Sequence, residues 1–339
     1  MTNPIAELIA ERGWIVADGA TGTNLFQRGL ETGYPPELWS VERQDDILWL
    51  HNSFLQAGSD LILSNSFGGT AFRLKLHNAE TRVTELNMAA AKLARHAVDS
   101  HRAVTGKKAI VAGSIGPTGE LFQPLGALTH DAAVAGFALQ AKALADGGVD
   151  VLWIETMSST EEVAAALEAA KETGLPVCAT MTFDTASRSM MGVTPSDFAA
   201  FAVGAGADFI GANCGIGPAE LLHSVDGILR ADTGVPVVAK GNCGIPAYVD
   251  GAIHYHGTPE LMADYALFAR DAGAQIIGGC CGTSPTHVAA MVAALERTPK
   301  RAFDQAAMTA ALGVAWDGVN LDKGGDTGPR GRRGRRRSS

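Results

Sequence analysis

Short apolar runs recur along the chain at Trp14–Ala20, Leu61–Phe67, Ala109–Gly116, Val151–Met157, Val177–Asp184, Phe209–Gly215, Val237–Gly244 and Ile276–Gly282. Each is too short for a helix, rich in Val and Ile, and continuous rather than alternating, as in parallel strands buried on both faces. Between them lie Ala- and Leu-rich helical stretches such as Glu161–Glu172 and Pro259–Asp271. Alternation of strand and helix implies a parallel sheet with right-handed crossovers. The lead-ins come in two kinds. AGSD, GGVD, AGAD and AGAQ precede the second, fourth, sixth and eighth runs, and TGLPV and TGVPV open the fifth and seventh. In both kinds a glycine stands just past a helix end, where a left-handed cap is needed. Eight units with alternating lead-ins predict an α/β fold of the (β/α)8 TIM-barrel type. A doubly wound sheet is the runner-up, but DGATGT at Asp18–Thr23 does not fit its glycine-rich phosphate loop.

The rhythm stops near residue 300. We therefore expect a barrel over residues 1–300 and, over 301–339, a short extension with a disordered Arg- and Gly-rich tail. The chain has 339 residues, 46% of them hydrophobic and 19% charged, which fits a globular protein with ample core. The net charge is −9, yet six arginines fall within Arg330–Ser339, so the body is more acidic still and does not favour nucleic acid. RNA or partner binding through the tail is a separate, non-enzymatic alternative. No run approaches the ~18 apolar residues of a membrane span, and the start, MTNPIAELIAERGW, lacks a signal-peptide pattern. The expectation is a cytoplasmic protein without membrane contact; assembly into a homo-oligomer is left open.

Barrel active sites are built at the C-terminal ends of the strands. Those positions hold Asp18, Asn65, Ser66, Glu155, Cys214, Asn242, Cys280 and Cys281. Three thiolates from the sixth and eighth strands suit a soft divalent metal, above all zinc, with one position left open for substrate. Adjacent cysteines on a regular strand point to opposite faces, so Gly278, Gly279 and Gly282 must free the backbone to bring both sulfurs inward. Inert buried thiols at a glycine-rich turn are the alternative, and a cysteine-nucleophile hydrolase is another. Cys178 reads as a small buried hydrophobe, and Cys243 is ambiguous. A tris-thiolate zinc site is a modest Lewis acid, better suited to holding a substrate thiol as thiolate than to making hydroxide. Alkyl transfer to a thiol is the matching reaction class.

GANCGIGP (Gly211–Pro218), GGCCGTSPTHV (Gly278–Val288), DGATGTNL (Asp18–Leu25) and SNSFGGT (Ser64–Thr70) together resemble the homocysteine S-methyltransferase family over about residues 10 to 295. The resemblance implies a zinc (β/α)8 barrel that methylates homocysteine to methionine, with Cys214, Cys280 and Cys281 as ligands and the homocysteine thiolate as the fourth. It implies that Asp18 and Gly19 hold the amino-acid end of homocysteine and that Glu155 pairs with its ammonium. It places Asn242 at a position that can fill the open site when substrate is absent.

The methyl donor follows less directly. Quaternary ammonium groups are held in aromatic cages, and the betaine-using members of the family place tyrosines where this chain has Gly68 and Thr156. Only Trp39 is left as a cage wall, unless it simply packs the first long loop. SNSFGGTAFRL, SIGPTGELFQPLG and MTFD look more like the homocysteine module of cobalamin-dependent methionine synthase. The expected donor is therefore a methylcorrinoid carried by a partner protein, with betaine and then S-methylmethionine as alternatives. No cobalamin-binding segment is recognised in the chain.

Overall fold

Every one of the eight apolar runs contains a strand, at Ile15–Val16, Leu61–Leu63, Ile110–Ile115, Val151–Met157, Val177–Met181, Phe209–Cys214, Val237–Gly241 and Ile276–Gly279. In this computed structural model the described residues are 3–316 except 245, 250 and 251, and for 246–249 and 252–254 the backbone alone. All strand pairings in the ring are parallel and join neighbours in sequence, with the eighth strand beside the first. A parallel bridge between Ala17 and Leu61 closes first strand to second. The fold is the (β/α)8 barrel. All the runs but Val151–Met157 outlast their strands, because the residues that follow belong to the loops that build the site.

The outer helices begin where the sequence supplies caps. Thr129, Ser159, Thr194 and Thr258 each accept a backbone N–H of the first turn of the helix they precede. Such a cap is worth about 1 kcal/mol. The lead-in repeats now have a physical reason. Gly58 ends the helix Gln44–Ala57 at φ 103°, a conformation that L side chains rarely adopt. The aspartate two residues later, Asp60, accepts the N–H of Val16 on the neighbouring strand. Asp150 and Asp208 do the same for Val111 and Val177. The three repeats that end in aspartate thus each staple two strands together at the N-terminal rim.

Inside the ring, Ile15, Leu61, Ile110, Val151, Trp153 and Phe209 form a closed apolar plug. Cys178 is part of it, fully buried, as the small hydrophobe expected. A helix that the apolar pattern did not announce, Pro4–Arg12, inserts Ile5 and Ile9 into the plug's lower end. A second unannounced element is the antiparallel pair Pro246–Val249 and Ala252–Tyr255 after the seventh strand. Past residue 300, a short helix at Gln305–Leu312 buries Met308 in the outer core. The Arg-rich segment Arg330–Ser339 lies outside the described residues. No helix among the described residues is long and apolar enough to cross a membrane.

Candidate active site

At the C-terminal end the plug gives way to a cavity of about 440 Å³, within the range of small-molecule sites. Glu155 and Lys240, at 7% and 2% exposure, line its floor, Asp18, at 3%, stands behind Lys240, and Cys214, Cys280 and Cys281 line its side. The three sulfurs lie within 4.8 Å of one another, Cys214 and Cys281 being 4.0 Å apart. Backbone conformation creates this convergence. Cys214 ends the sixth strand at φ 62°, a left-handed conformation that redirects its side chain out of the strand's alternation. The eighth strand ends at Gly279, so Cys280 and Cys281 sit in a turn and strand alternation does not separate them. Gly279 is required there by space: a Cβ would lie 2.2 Å from Thr283 Cγ2.

Hydrogen bonds fix the turns that carry the thiols. The Asn242 side-chain amide donates to the Gly215 carbonyl at 2.7 Å, and its oxygen accepts the Cys281 N–H at 3.1 Å. It thereby ties the two cysteine-bearing turns together. Asn213, beside Cys214, accepts the Thr156 N–H and the Thr180 hydroxyl and donates to Thr156 Oγ1, holding Thr156 at φ 62° just after Glu155. Tyr255 packs over Gly282, next to Cys281 in sequence. Cys243 stands apart: its thiol donates to the Gly257 carbonyl at 3.3 Å.

The thiols resist ionisation where they stand. Hydrogen bonding with Cys280, and then burial, push the Cys214 thiol far above its usual range; contact with Cys214 pushes Cys281 up to about 12. Three sulfurs this close repel one another as anions, so only a bound cation would keep them all thiolate. Donor type, number and proximity fit a soft divalent ion of the zinc kind. Closed structural sites have four protein ligands, and among the described residues this cluster has three.

The floor is a charge pattern. The Lys240 ammonium donates to Asp18 Oδ1 at 2.7 Å and to the Asp18 carbonyl at 3.1 Å. Asp18 Oδ2 accepts the Leu63 N–H at 2.8 Å. Burial works against charge on Lys240, but Asp18 and Glu155 prevail and raise its pKa. Glu155 accepts the Ser114 hydroxyl at 2.5 Å, and burial, only partly offset by Lys240, raises its pKa to about 7. Gly19 lines the same floor, and a Cβ there would lie 2.5 Å from the Thr283 carbonyl.

The outer wall differs. Glu37 is buried and accepts the Gly68 N–H at 2.6 Å, and a Cβ on Gly68 would meet that carboxylate at 2.8 Å. Tyr34, Phe67, Arg73 and His77 complete this wall. Trp39 takes the packing role rather than a cage wall: it is buried in the core under the Arg43 guanidinium and does not line the cavity. Asn65 and Ser66 act in the loops, Asn65 donating to the Pro36 carbonyl and to Ser40, Ser66 to the Ser114 carbonyl.

Sequence reading brought together Asp18, Gly19, Glu155 and the three cysteines, and missed Lys240, Ser114, Asn213, Glu37 and Tyr255. For Lys240 a signal existed: a lone cation inside a strand buried on both faces needs a buried counter-charge.

Comparison with known proteins gives a consistent picture. The family model described as homocysteine S-methyltransferase matches residues 15–295. Methionine synthase from Mycobacterium leprae (strain TN) is 29% identical over 308 residues, covering 86% of this chain and 25% of the relative. Methionine synthase from Mycobacterium tuberculosis (strain ATCC 25618 / H37Rv) is 29% identical over 305 residues, with 85% and 25% covered. The chain therefore spans about a quarter of the length of these relatives. Among solved structures, the metallated form of the homocysteine methyltransferase MmuM from Escherichia coli matches at TM-score 0.71 and 26% identity, over 86% of this chain and 99% of that one. Its oxidized form matches at TM-score 0.72 and 25% identity, with the same coverage.

Proposed function

Because the chain belongs to the homocysteine S-methyltransferase family, we propose that it methylates homocysteine to methionine at the cavity bounded by Cys214, Cys280 and Cys281. The observation that carries this reading is the convergence of three thiols beside a floor of paired opposite charges. A zinc ion held by the three thiolates would keep the substrate sulfur ionised near neutral pH while leaving it nucleophilic.

The chain's own residues bind and orient. Glu155 receives the substrate ammonium, and Asp18 and Gly19 at the end of the first strand position the carboxylate end. Asn242, by tying the turns of Cys214 and Cys281, keeps the donor set preorganised. The reaction is one displacement: the sulfur lone pair forms the S–CH3 bond as the donor's bond to that methyl breaks, and the leaving group takes the bonding pair. No acid or base is needed at the methyl group itself.

We further propose a methylcorrinoid on a partner protein as the donor. Two observations support it. The cavity wall lacks a tyrosine at Gly68 and Thr156, and Trp39 is turned into the core. In addition, most of the exposed large apolar side chains lie on the segments that connect a strand to its following outer helix, at the mouth end. Leu76, Leu121, Leu125 and Met190, at 61%, 56%, 73% and 72% exposure, are among them. An apolar rim of this kind suits a macromolecular partner. The catalytic unit in this reading is the barrel of residues 1–300, working in a reducing cytoplasm where its five cysteines stay free.

The test is methionine formation by purified zinc-loaded protein. With a methylcorrinoid protein as donor the reading predicts turnover that requires homocysteine. Methionine formed from betaine at millimolar levels without corrinoid would refute the donor assignment, and absence of bound metal would refute the site.

A further inference from the structure

Lys240 is a buried ammonium whose role no motif accounts for. It lines the cavity from the seventh strand, paired with Asp18 and within electrostatic reach of Glu155, which lines the same cavity. An ammonium has three N–H donors. Two partners are in place, both on Asp18, and among the described residues no acceptor engages a third. A cation at 2% exposure with a donor unused, lining a cavity, is expensive unless a ligand completes it. Asp18, for its part, has a partner on each oxygen, Lys240 on one and the Leu63 N–H on the other.

We propose that Lys240 is a substrate-binding residue that receives the carboxylate of homocysteine, and that Asp18 is the positioning residue that aims it. This rests on the homocysteine reading above and deepens it. The substrate's α-carbon carries a carboxylate and an ammonium side by side, and the cavity lining offers their complements in Lys240 and Glu155, within electrostatic reach of each other. Arg73 and His77 do not compete for this role, since they act on Glu37 at the outer wall, whereas Lys240 acts on both Asp18 and Glu155. The Gly19 N–H has no protein acceptor among the described residues, and it gives the carboxylate a second donor.

The specificity that follows is for thiols bearing an α-amino acid group. It is tested by titrating zinc-loaded protein with homocysteine and with 3-aminopropane-1-thiol, the same chain without the carboxylate. The wild-type protein should prefer homocysteine by on the order of ten- to a hundredfold. Lys240→Met should bring homocysteine down to the level of the amine thiol and leave the amine thiol no weaker than before. A merely structural lysine would weaken both ligands together and keep their ratio. Because Lys240→Met strands Asp18 without a counter-charge, Asp18→Asn/Lys240→Met is the companion variant, and it too should lose the preference. Equal binding of the two thiols by the wild type, or a preference that survives in either variant, overturns the proposal for Lys240 alone. Failure of the wild type to bind either thiol overturns the homocysteine reading and this assignment with it.

Discussion

The two ends of the barrel solve the same problem in opposite ways. At the N-terminal end, Asp60, Asp150 and Asp208 each accept one backbone N–H at 2.8–2.9 Å from a neighbouring strand, and Ile5 and Ile9 seal the interior. Arg12 and Arg95 pair with two of these aspartates from outside. At the C-terminal end, Asp18, Glu155 and Lys240 are buried more deeply than those aspartates and the thiols are half-buried, yet the partners of Glu155, Lys240 and the thiols are incomplete. Glu155 has Ser114, Lys240 has a donor to spare, and three thiols crowd one another. Satisfied polar groups hold strands in register; unsatisfied ones store an affinity for something absent from the chain. Cys178 and Cys281 make the point within one residue type, the first sealed in the plug and the second hydrogen-bonded into the thiol cluster.

The largest effect that would sharpen this contrast comes from the thiols. Cys281→Ala should lose most bound metal and lower methyl transfer by more than about a thousandfold, read by metal analysis and turnover. Cys178→Ala should keep both and lose only stability, by about 1–2 kcal/mol for the small cavity it leaves. Full zinc occupancy in the Cys281 variant would break the comparison. Next comes Glu155→Gln, which should weaken homocysteine binding by roughly ten- to a hundredfold, the worth of a charge-assisted contact of about 1.5–3 kcal/mol, with metal content unchanged. At the other end, Asp150→Ala should cost about 1–3 kcal/mol of stability by orphaning the Val111 N–H, while homocysteine affinity stays put. A shift in affinity there would mean that the ends are coupled.

The most gradual effect is in pH. Burial raises the Glu155 pKa from 4.5 to about 7. Between those values the folded protein keeps a proton that the unfolded chain releases, so this group makes stability fall as pH rises across that window. Its slope is at most about 1.4 kcal/mol per pH unit. A ligand ammonium needs the ionised form, so affinity should run the other way. Binding of methionine, whose sulfur does not titrate, should strengthen as pH rises to about 7 and level off above it. Glu155→Gln should flatten both trends in thermal melts and calorimetry.

Much of the N-terminal end was written in local sequence. A two-sided strand must be continuously apolar, and a helix stop must be glycine at Gly58, so the lead-ins and runs announce the barrel. The cysteines were legible because thiols at strand ends are chemically conspicuous. What local pattern did not carry was pairing across the ring. Lys240 belongs to an apolar run in the sequence, and its partner Asp18 stands on a different strand. Asn213 matters through Thr156 and Asn242 through Gly215 and Cys281, contacts that exist only once the ring closes. The pair of strands at Pro246–Val249 and Ala252–Tyr255 had a signal in the intervening Asp250–Gly251 dipeptide, but lies outside the eightfold rhythm. The helix Pro4–Arg12 buries only Ile5 and Ile9, too narrow an apolar stripe to stand out in the pattern.

The central claim is that Cys214, Cys280 and Cys281 bind one zinc ion whose remaining position takes the homocysteine sulfur. Zinc-edge X-ray absorption, recorded on the holoprotein before and after homocysteine is added, tests it most directly. The account predicts three sulfur neighbours at about 2.3 Å in the free protein, rising to four with homocysteine and remaining three when the thiol-free analogue homoserine is added. A sulfur count that does not change with homocysteine, or one below three at the start, would contradict it.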